Sequence, residues 1–222
     1  GAEALVRWQR DGKLISPMQF IPQLEREGSI IKLDYYMLEE VCHFLRKWMD
    51  EGHAPICISV NFSRKHLDED DMVEHIVSIL DEHGIAHQYI EIELTESEDF
   101  QNYEVMSEIV NGLKQEGIGT SIDDFGTGYS NFHYLSELKP EIIKIDRSFT
   151  VKAVADEQEY YLLNQFCTMI HNLDMKICIE GVENEQEWAM IRKLYPEFTQ
   201  GYFWGKPCGY EEFIEKFTES RL

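Results

Sequence analysis

Apolar residues recur at every second position in seven short stretches and at every third or fourth position between them, which predicts strands alternating with helices along the whole chain. Glu3, Leu5 and Arg7 share one parity against Ala4 and Val6, predicting a strand over 2–8. Residues 15–28 contain Pro17 and Pro22 and predict a loop with a short helical turn. Leu33, Met37, Leu38, Val41, Leu45 and Trp48 then fall at helical spacing, with Asp34 in the first turn and Gly52 past the end, predicting a helix over 33–49. Two-residue alternation returns over 55–61, 89–95, 118–123, 142–146, 176–182 and 198–204. Helices are predicted between these strands over 70–82, 105–116, 132–138, 157–173 and 186–195, with a last one over 210–217.

This rhythm predicts an α/β fold with a parallel sheet and helical crossovers. No linker or low-complexity run interrupts residues 1–222, so one domain is expected. Two architectures fit, a TIM-like β/α barrel and a doubly wound open sheet. Strands of an open sheet covered on both faces are nearly continuous apolar runs, whereas these carry a polar set on one parity. That set contains Glu3, Asn61, Glu93, Asp123, Lys144, Glu180 and Gln200, one from each strand, which favours the barrel.

The polar set is also where chemistry is expected. In a parallel barrel the C-terminal strand ends converge on one mouth, the seat of active sites in this architecture. Asp123 and Asp124 are adjacent at the end of a strand and run into the glycine-rich stretch Phe125-Gly126-Thr127-Gly128. A pair so close is explained by a divalent cation between them, or more plainly by a strand-end turn with an aspartate cap. Seven inward-facing polar residues in register, four of them acids, favour the cation, because a buried carboxylate costs several kcal/mol unless it is paired or metal-bound. Lys144 alone cannot balance four acids. Oxygen ligands with no cysteine or histidine among them point to hard ions such as Mg²⁺ or Mn²⁺ rather than zinc.

Composition narrows the partners. With 42 acidic against 20 basic residues, the net charge of -22 argues against a grip on polymeric nucleic acid, although an anionic small ligand could bind through metal ions. Five cysteines with no CxxC pair suit buried thiols in a reducing compartment, so a cytoplasmic location is expected, with no disulfide. No secretory leader and no apolar run of about 18 residues is present, so no direct membrane contact is expected from this segment.

Seven motifs then resemble, in order, those of the EAL-domain family of cyclic di-GMP phosphodiesterases. They are Glu3-Ala4-Leu5-Val6-Arg7-Trp8, Asn61-Phe62-Ser63, Glu93-Leu94-Thr95-Glu96, Asp123-Asp124-Phe125-Gly126-Thr127-Gly128, Lys144-Ile145-Asp146, Glu180-Gly181-Val182-Glu183 and Gln200-Gly201-Tyr202. The resemblance covers essentially the whole chain. It implies a barrel that uses two Mg²⁺ or Mn²⁺ ions to hydrolyse one phosphodiester of cyclic di-GMP to linear pGpG, and a homodimer.

By the same resemblance, Glu3, Asn61, Glu93 and Asp123 hold one metal, and Asp123 bridges to a second held with Asp124 and Glu180. Lys144 positions the attacking water or the scissile phosphate. Gln200 lies at the metal-water cluster, and Glu183 supports the site. Arg7 and Asp146 bind substrate, and Glu96 tethers the loop after Asp124. Within this sequence the family's strand ending in Gln-Pro, ahead of Glu-Ala-Leu, has no counterpart: either that strand lies outside this sequence or the domain lacks it, and a TIM-like barrel missing its first strand would be incompletely closed. Relatives that bind cyclic di-GMP as receptors without turnover form the alternative reading. They lack metal-ligand acids, and none is lost here.

Overall fold

The computed structural model describes residues 1–95, 103–126, 135 and 137–219. Its main sheet has seven parallel strands: β1 (Ala2–Ala4), β4 (Ile58–Phe62), β5 (Ile90–Thr95), β6 (Gly119–Phe125), β7 (Ile142–Ile145), β8 (Lys176–Ile179) and β9 (Phe198–Thr199). They lie in the sheet in the order in which they occur in the chain. A doubly wound sheet needs a reversal of that order, so the barrel expectation holds. Between the strands run α2 (Ile30–Asp50), α3 (Met72–His83), α4 (Tyr103–Gln115), α5 (Arg147–Ala155), α6 (Glu157–Asn172) and α7 (Glu185–Ile191), and α8 (Tyr210–Glu219) follows β9.

One parity of the strands faces these helices. Val60, Ile92, Leu94, Ile122, Ile143, Ile145, Ile177 and Ile179 meet Leu38, Leu45, Ile76, Leu80, Val110, Leu113, Leu163 and Ile170 in one buried core. The other parity, carrying the polar set, is left for the inside of the curve.

The edge strands β1 and β9 are not paired with each other. A flat sheet of seven strands would hold its edges about 29 Å apart, six spacings of about 4.8 Å. Instead the Gln200 Nε2 amide, just after β9, donates to Glu3 Oε2 on β1. The sheet therefore curls until β1 and the end of β9 are one pair of side chains apart.

Several expectations change. The strand predicted over 2–8 ends at Ala4, and Trp8–Arg10 (β2) instead forms an antiparallel hairpin with Lys13–Ile15 (β3). Asp11 and Gly12 between them have φ of 51° and 73°, and an Asp-Gly pair with both φ positive is the turn that suits a two-residue hairpin. The predicted loop over 15–28 is helix α1 (Pro17–Glu27), which starts on Pro17 and stops at left-handed Gly28. Pro22 sits inside it and removes one hydrogen bond without ending it. Helix α5 was not expected; Asp146 caps it by accepting from Ser148 N–H at 2.9 Å.

The last two strands are also shorter than predicted. Gly181 (φ 68°) turns the chain after Ile179, and Gly201 (φ 148°) turns it soon after Thr199. The two turns bind each other through Val182 N–H to Gln200 O (3.0 Å) and Phe203 N–H to Val182 O (3.0 Å). The helix predicted over 132–138 falls mostly outside the described residues.

A side chain at position 201 would run into the Val182 backbone, and the φ there is one that only glycine adopts readily. Gly201→Ala is expected to lose about 3 kcal/mol of stability, read as a lowered urea midpoint. An unchanged midpoint would mean that the two turns are not locked together.

Candidate functional site

At the C-terminal strand ends the polar parity converges on Lys144 of β7. Its Nζ lies 2.7 Å from Glu93 Oε2, 2.9 Å from Glu180 Oε1, 3.4 Å from Asp123 Oδ1 and 3.6 Å from Glu3 Oε2, and the residue is 2% exposed. Asn61 Nδ2 donates to Glu3 Oε1 at 2.9 Å, so Glu3 is held between Asn61 and Gln200. All seven residues of the predicted inward set are thus brought together.

Electrostatics records the imbalance of four acids on one base. Burial alone would lower the Lys144 pKa, but Glu93, Glu3, Asp123 and Glu180 outweigh it and hold the ammonium above its ordinary value. Burial pushes Glu93 up to about 8, against the attraction of Lys144. Burial likewise raises Glu180 to about 7, with Lys144 again opposing. Asp124 is raised by burial and then by the charges of Asp123 and Asp146. The site is short of positive charge in the protein alone.

The two adjacent aspartates reach the same site through a bulge. Ile122 pairs with Ile143 and Phe125 with Ile145, so two residues of β6 stand opposite the single Lys144. Asp124 adopts φ 54°, a left-handed conformation costing about 1–3 kcal/mol in a non-glycine residue. Regular alternation would send neighbouring side chains to opposite faces. Here carboxylate oxygens of Asp123, Asp124 and Glu180 all lie within 4.8 Å of one another. Asp123 Oδ1 is buried and makes no hydrogen bond. A strained bulge and three gathered carboxylates, one with a buried oxygen that faces the Lys144 ammonium at 3.4 Å without a hydrogen bond, fit a hard divalent cation held by oxygen ligands.

Other predicted residues stand farther out. Asp146 spends its side chain on the α5 cap, near enough to Asp124 to raise its pKa. Glu183 pairs with Arg147 at 2.8 Å and is not among the acids around Lys144. Exposed Arg7 donates to the Val6 carbonyl at 2.8 Å. Glu96 lies outside the described residues.

Sequence reasoning missed the residues that grip the Glu180 turn. Buried Thr150 on α5 donates to the Glu180 carbonyl at 3.0 Å, and a side chain at Gly181 would strike Arg147. Their distance from Glu180 in the sequence offered no signal; only the pair of aspartate caps, Asp146 and Asp156, could have revealed the helix that carries Thr150.

A curled parallel β/α sheet with an acidic cluster at its C-terminal mouth that could hold a metal ion defines a barrel-class domain with its candidate site in the position of an active site. Residues 1–207 match the EAL domain family, and the chain belongs to it. It is 34% identical over 215 residues to the bifunctional diguanylate cyclase/cyclic di-GMP phosphodiesterase MucR of Pseudomonas aeruginosa, covering 96% of this chain and 31% of MucR. To the cyclic di-GMP phosphodiesterase NbdA of the same organism it is 33% identical over 219 residues, covering 97% of this chain and 28% of NbdA. The chain thus spans about three-tenths of the length of these curated relatives. Among solved structures, the PaMucR phosphodiesterase in its c-di-GMP complex superposes with a TM-score of 0.87 at 33% identity, over 95% of this chain and 86% of that one.

In the metal-free protein Asp123→Asn is expected to raise the melting temperature, since it neutralises one of four acids crowded on one ammonium. The same change should remove the stabilisation that Mn²⁺ gives the wild type, about 2.7 kcal/mol at a hundred times the dissociation constant. Scanning calorimetry with EDTA and with Mn²⁺ reads both effects. A variant that gains as much from Mn²⁺ as the wild type would overturn the assignment of Asp123.

Proposed function

We propose that this chain is a metal-dependent phosphodiesterase that hydrolyses one phosphodiester bond of cyclic di-GMP to linear pGpG. The observation that carries the reading is the full set of acids, Glu3, Glu93, Asp123, Asp124 and Glu180, retained in an EAL-family fold and gathered at one mouth. A similar protein bearing the phosphodiesterase name is solved with c-di-GMP, which supports the ligand.

Asp123, Asp124 and Glu180 would hold one Mg²⁺ or Mn²⁺, and Glu3, Asn61, Glu93 and Asp123 the other. When bound, such ions lower the pKa of a water and stabilise charge developing on phosphate. The residues of the chain supply orientation. Lys144 directs its ammonium at Glu93 and Glu180 in the metal-free protein, and once those acids have other counter-charges its N–H donors are free to hold the attacking water or a phosphate oxygen. Gln200 and Asn61 keep Glu3 from turning away. Arg7, exposed beyond the end of β1, is suited to a phosphate oxygen of the ligand, and Asp146 lies next to Asp124 at the same rim. Glu183 supports the turn after Glu180 through Arg147.

With a net charge of -22 the protein repels a dianionic ligand, so binding as well as chemistry should need the cations. Homodimerisation, by resemblance to the family, and a cytoplasmic setting, alone or as the cytoplasmic portion of a larger and membrane-anchored protein, by the unpaired cysteines, complete the proposal. A cyclic di-GMP receptor without turnover is the second reading, and the intact acid set counts against it.

The deciding experiment incubates the protein with cyclic di-GMP and Mg²⁺ or Mn²⁺ and follows pGpG by chromatography. Turnover is expected, lost on chelation, and lower by about a hundredfold or more in Lys144→Ala. Undiminished hydrolysis in EDTA would sink the metal mechanism, and binding without pGpG under all conditions would favour the receptor. Glu96→Ala is expected to reduce turnover about tenfold while leaving cyclic di-GMP binding in Ca²⁺ unchanged. A normal rate at every Mg²⁺ concentration would remove Glu96 from the machinery.

A further inference from the structure

Behind β4, outside the mouth, lies a buried polar cluster that the chemistry above does not use. His66 is 1% exposed and faces a carboxylate with each ring nitrogen: Nδ1 is 2.6 Å from Glu69 Oε2 and Nε2 is 3.1 Å from Asp34 Oδ2. Tyr35 donates its hydroxyl to the same Glu69 oxygen at 3.1 Å. Asp34, on α2 and 6% exposed, accepts a second hydrogen bond on Oδ2 from the backbone N–H of Ser63 at 2.8 Å. Ser63 follows β4 directly and stands two residues beyond Asn61.

Packing alone does not call for these groups. Two carboxylates and an imidazole taken from water are costly, and apolar side chains of similar volume would fill the space at no such penalty. What the cluster achieves is directional. It ties the C-terminal end of β4 to α2 through one backbone hydrogen bond, while the ring of Phe62 packs against both Tyr35 (centroids 5.7 Å apart) and His66 (4.7 Å), which also meet each other at 4.9 Å. Asn61, immediately before Phe62, then delivers its amide to Glu3 at 2.9 Å.

We infer that Asp34, His66 and Glu69 are positioning residues for the metal site: they fix the end of β4 through the Ser63 N–H, and so set where Asn61 and its partner Glu3 stand. The inference rests on the metal reading proposed above and extends it to groups that touch neither cation nor substrate. Supporting groups of this kind tune metal affinity by holding ligands in place.

The test isolates the single backbone bond. Ser63 has φ -66° and ψ 148°, and the preceding residue is in a strand, so proline fits the backbone at position 63 while removing the N–H that Asp34 accepts. The hydroxyl has a separate task, accepting from Lys65 N–H at 3.3 Å, and Ser63→Ala controls for it. Mn²⁺ affinity is measured by titration calorimetry, with the melting temperature in EDTA recorded beside it. Ser63→Pro is expected to bind Mn²⁺ about tenfold more weakly than the wild type. Ser63→Ala should bind as the wild type does.

His66→Leu should weaken binding as Ser63→Pro does, and His66→Gln, which keeps a donor for Asp34, should restore it. If one of the two disruptive variants fails to fold, the other carries the test. Folded Ser63→Pro or His66→Leu protein with wild-type Mn²⁺ affinity would overturn the inference and leave the metal reading standing. A wild-type protein that takes up no Mn²⁺ would overturn both.

Discussion

Four carboxylates crowd one ammonium, and much of the site follows from that imbalance. Lys144 cannot satisfy Glu93, Glu180, Asp123 and Glu3 at once, and burial holds Glu93 and Glu180 above the usual carboxylate range despite its attraction. A fold selected for stability alone would have replaced some of these acids with apolar residues. On the metal reading proposed above, the lysine stands in for charge that these acids would otherwise receive from a cation.

The rest of the structure supplies rigidity to that mouth. The four acids around Lys144 come from four different strands or their ends, so their positions depend on register across the sheet, and the register is held by an apolar face pressed onto the helices. Where the ladder is irregular, local devices take over: a bulge for Asp123 and Asp124, a glycine turn and a threonine clamp for Glu180, and side-chain closure for Glu3.

The barrel and its inward residues were legible in the sequence because strand parity is a rigid rule, and each of seven strands obeyed it separately. Parity could also be carried too far: it extends the strand over 176–182 through Gly181, where a positive φ ends it. It could not place Asp124, because adjacent residues reach one face only through a bulge, and nothing in the order of side chains announces the extra residue in β6. Pro22 hid α1, since a proline inside a helix is read as a stop. The Asp11-Gly12 hairpin was readable from turn chemistry but was overshadowed by the alternation that precedes it. The Asp34–His66 contact joins residues 32 apart with no shared period, and only the packing of α2 on β4 brings them together.

The bond between Gln200 and Glu3 spans 197 positions of the chain. Synthesis proceeds from the N-terminus, so Glu3 leaves the ribosome long before its partner exists. Until the segment carrying Gln200 has been made, Glu3 has one of its two amide partners. Competence of the centre is therefore a property that arrives late in biosynthesis, and a nascent chain cannot assemble the complete cluster while most of the domain is still being translated.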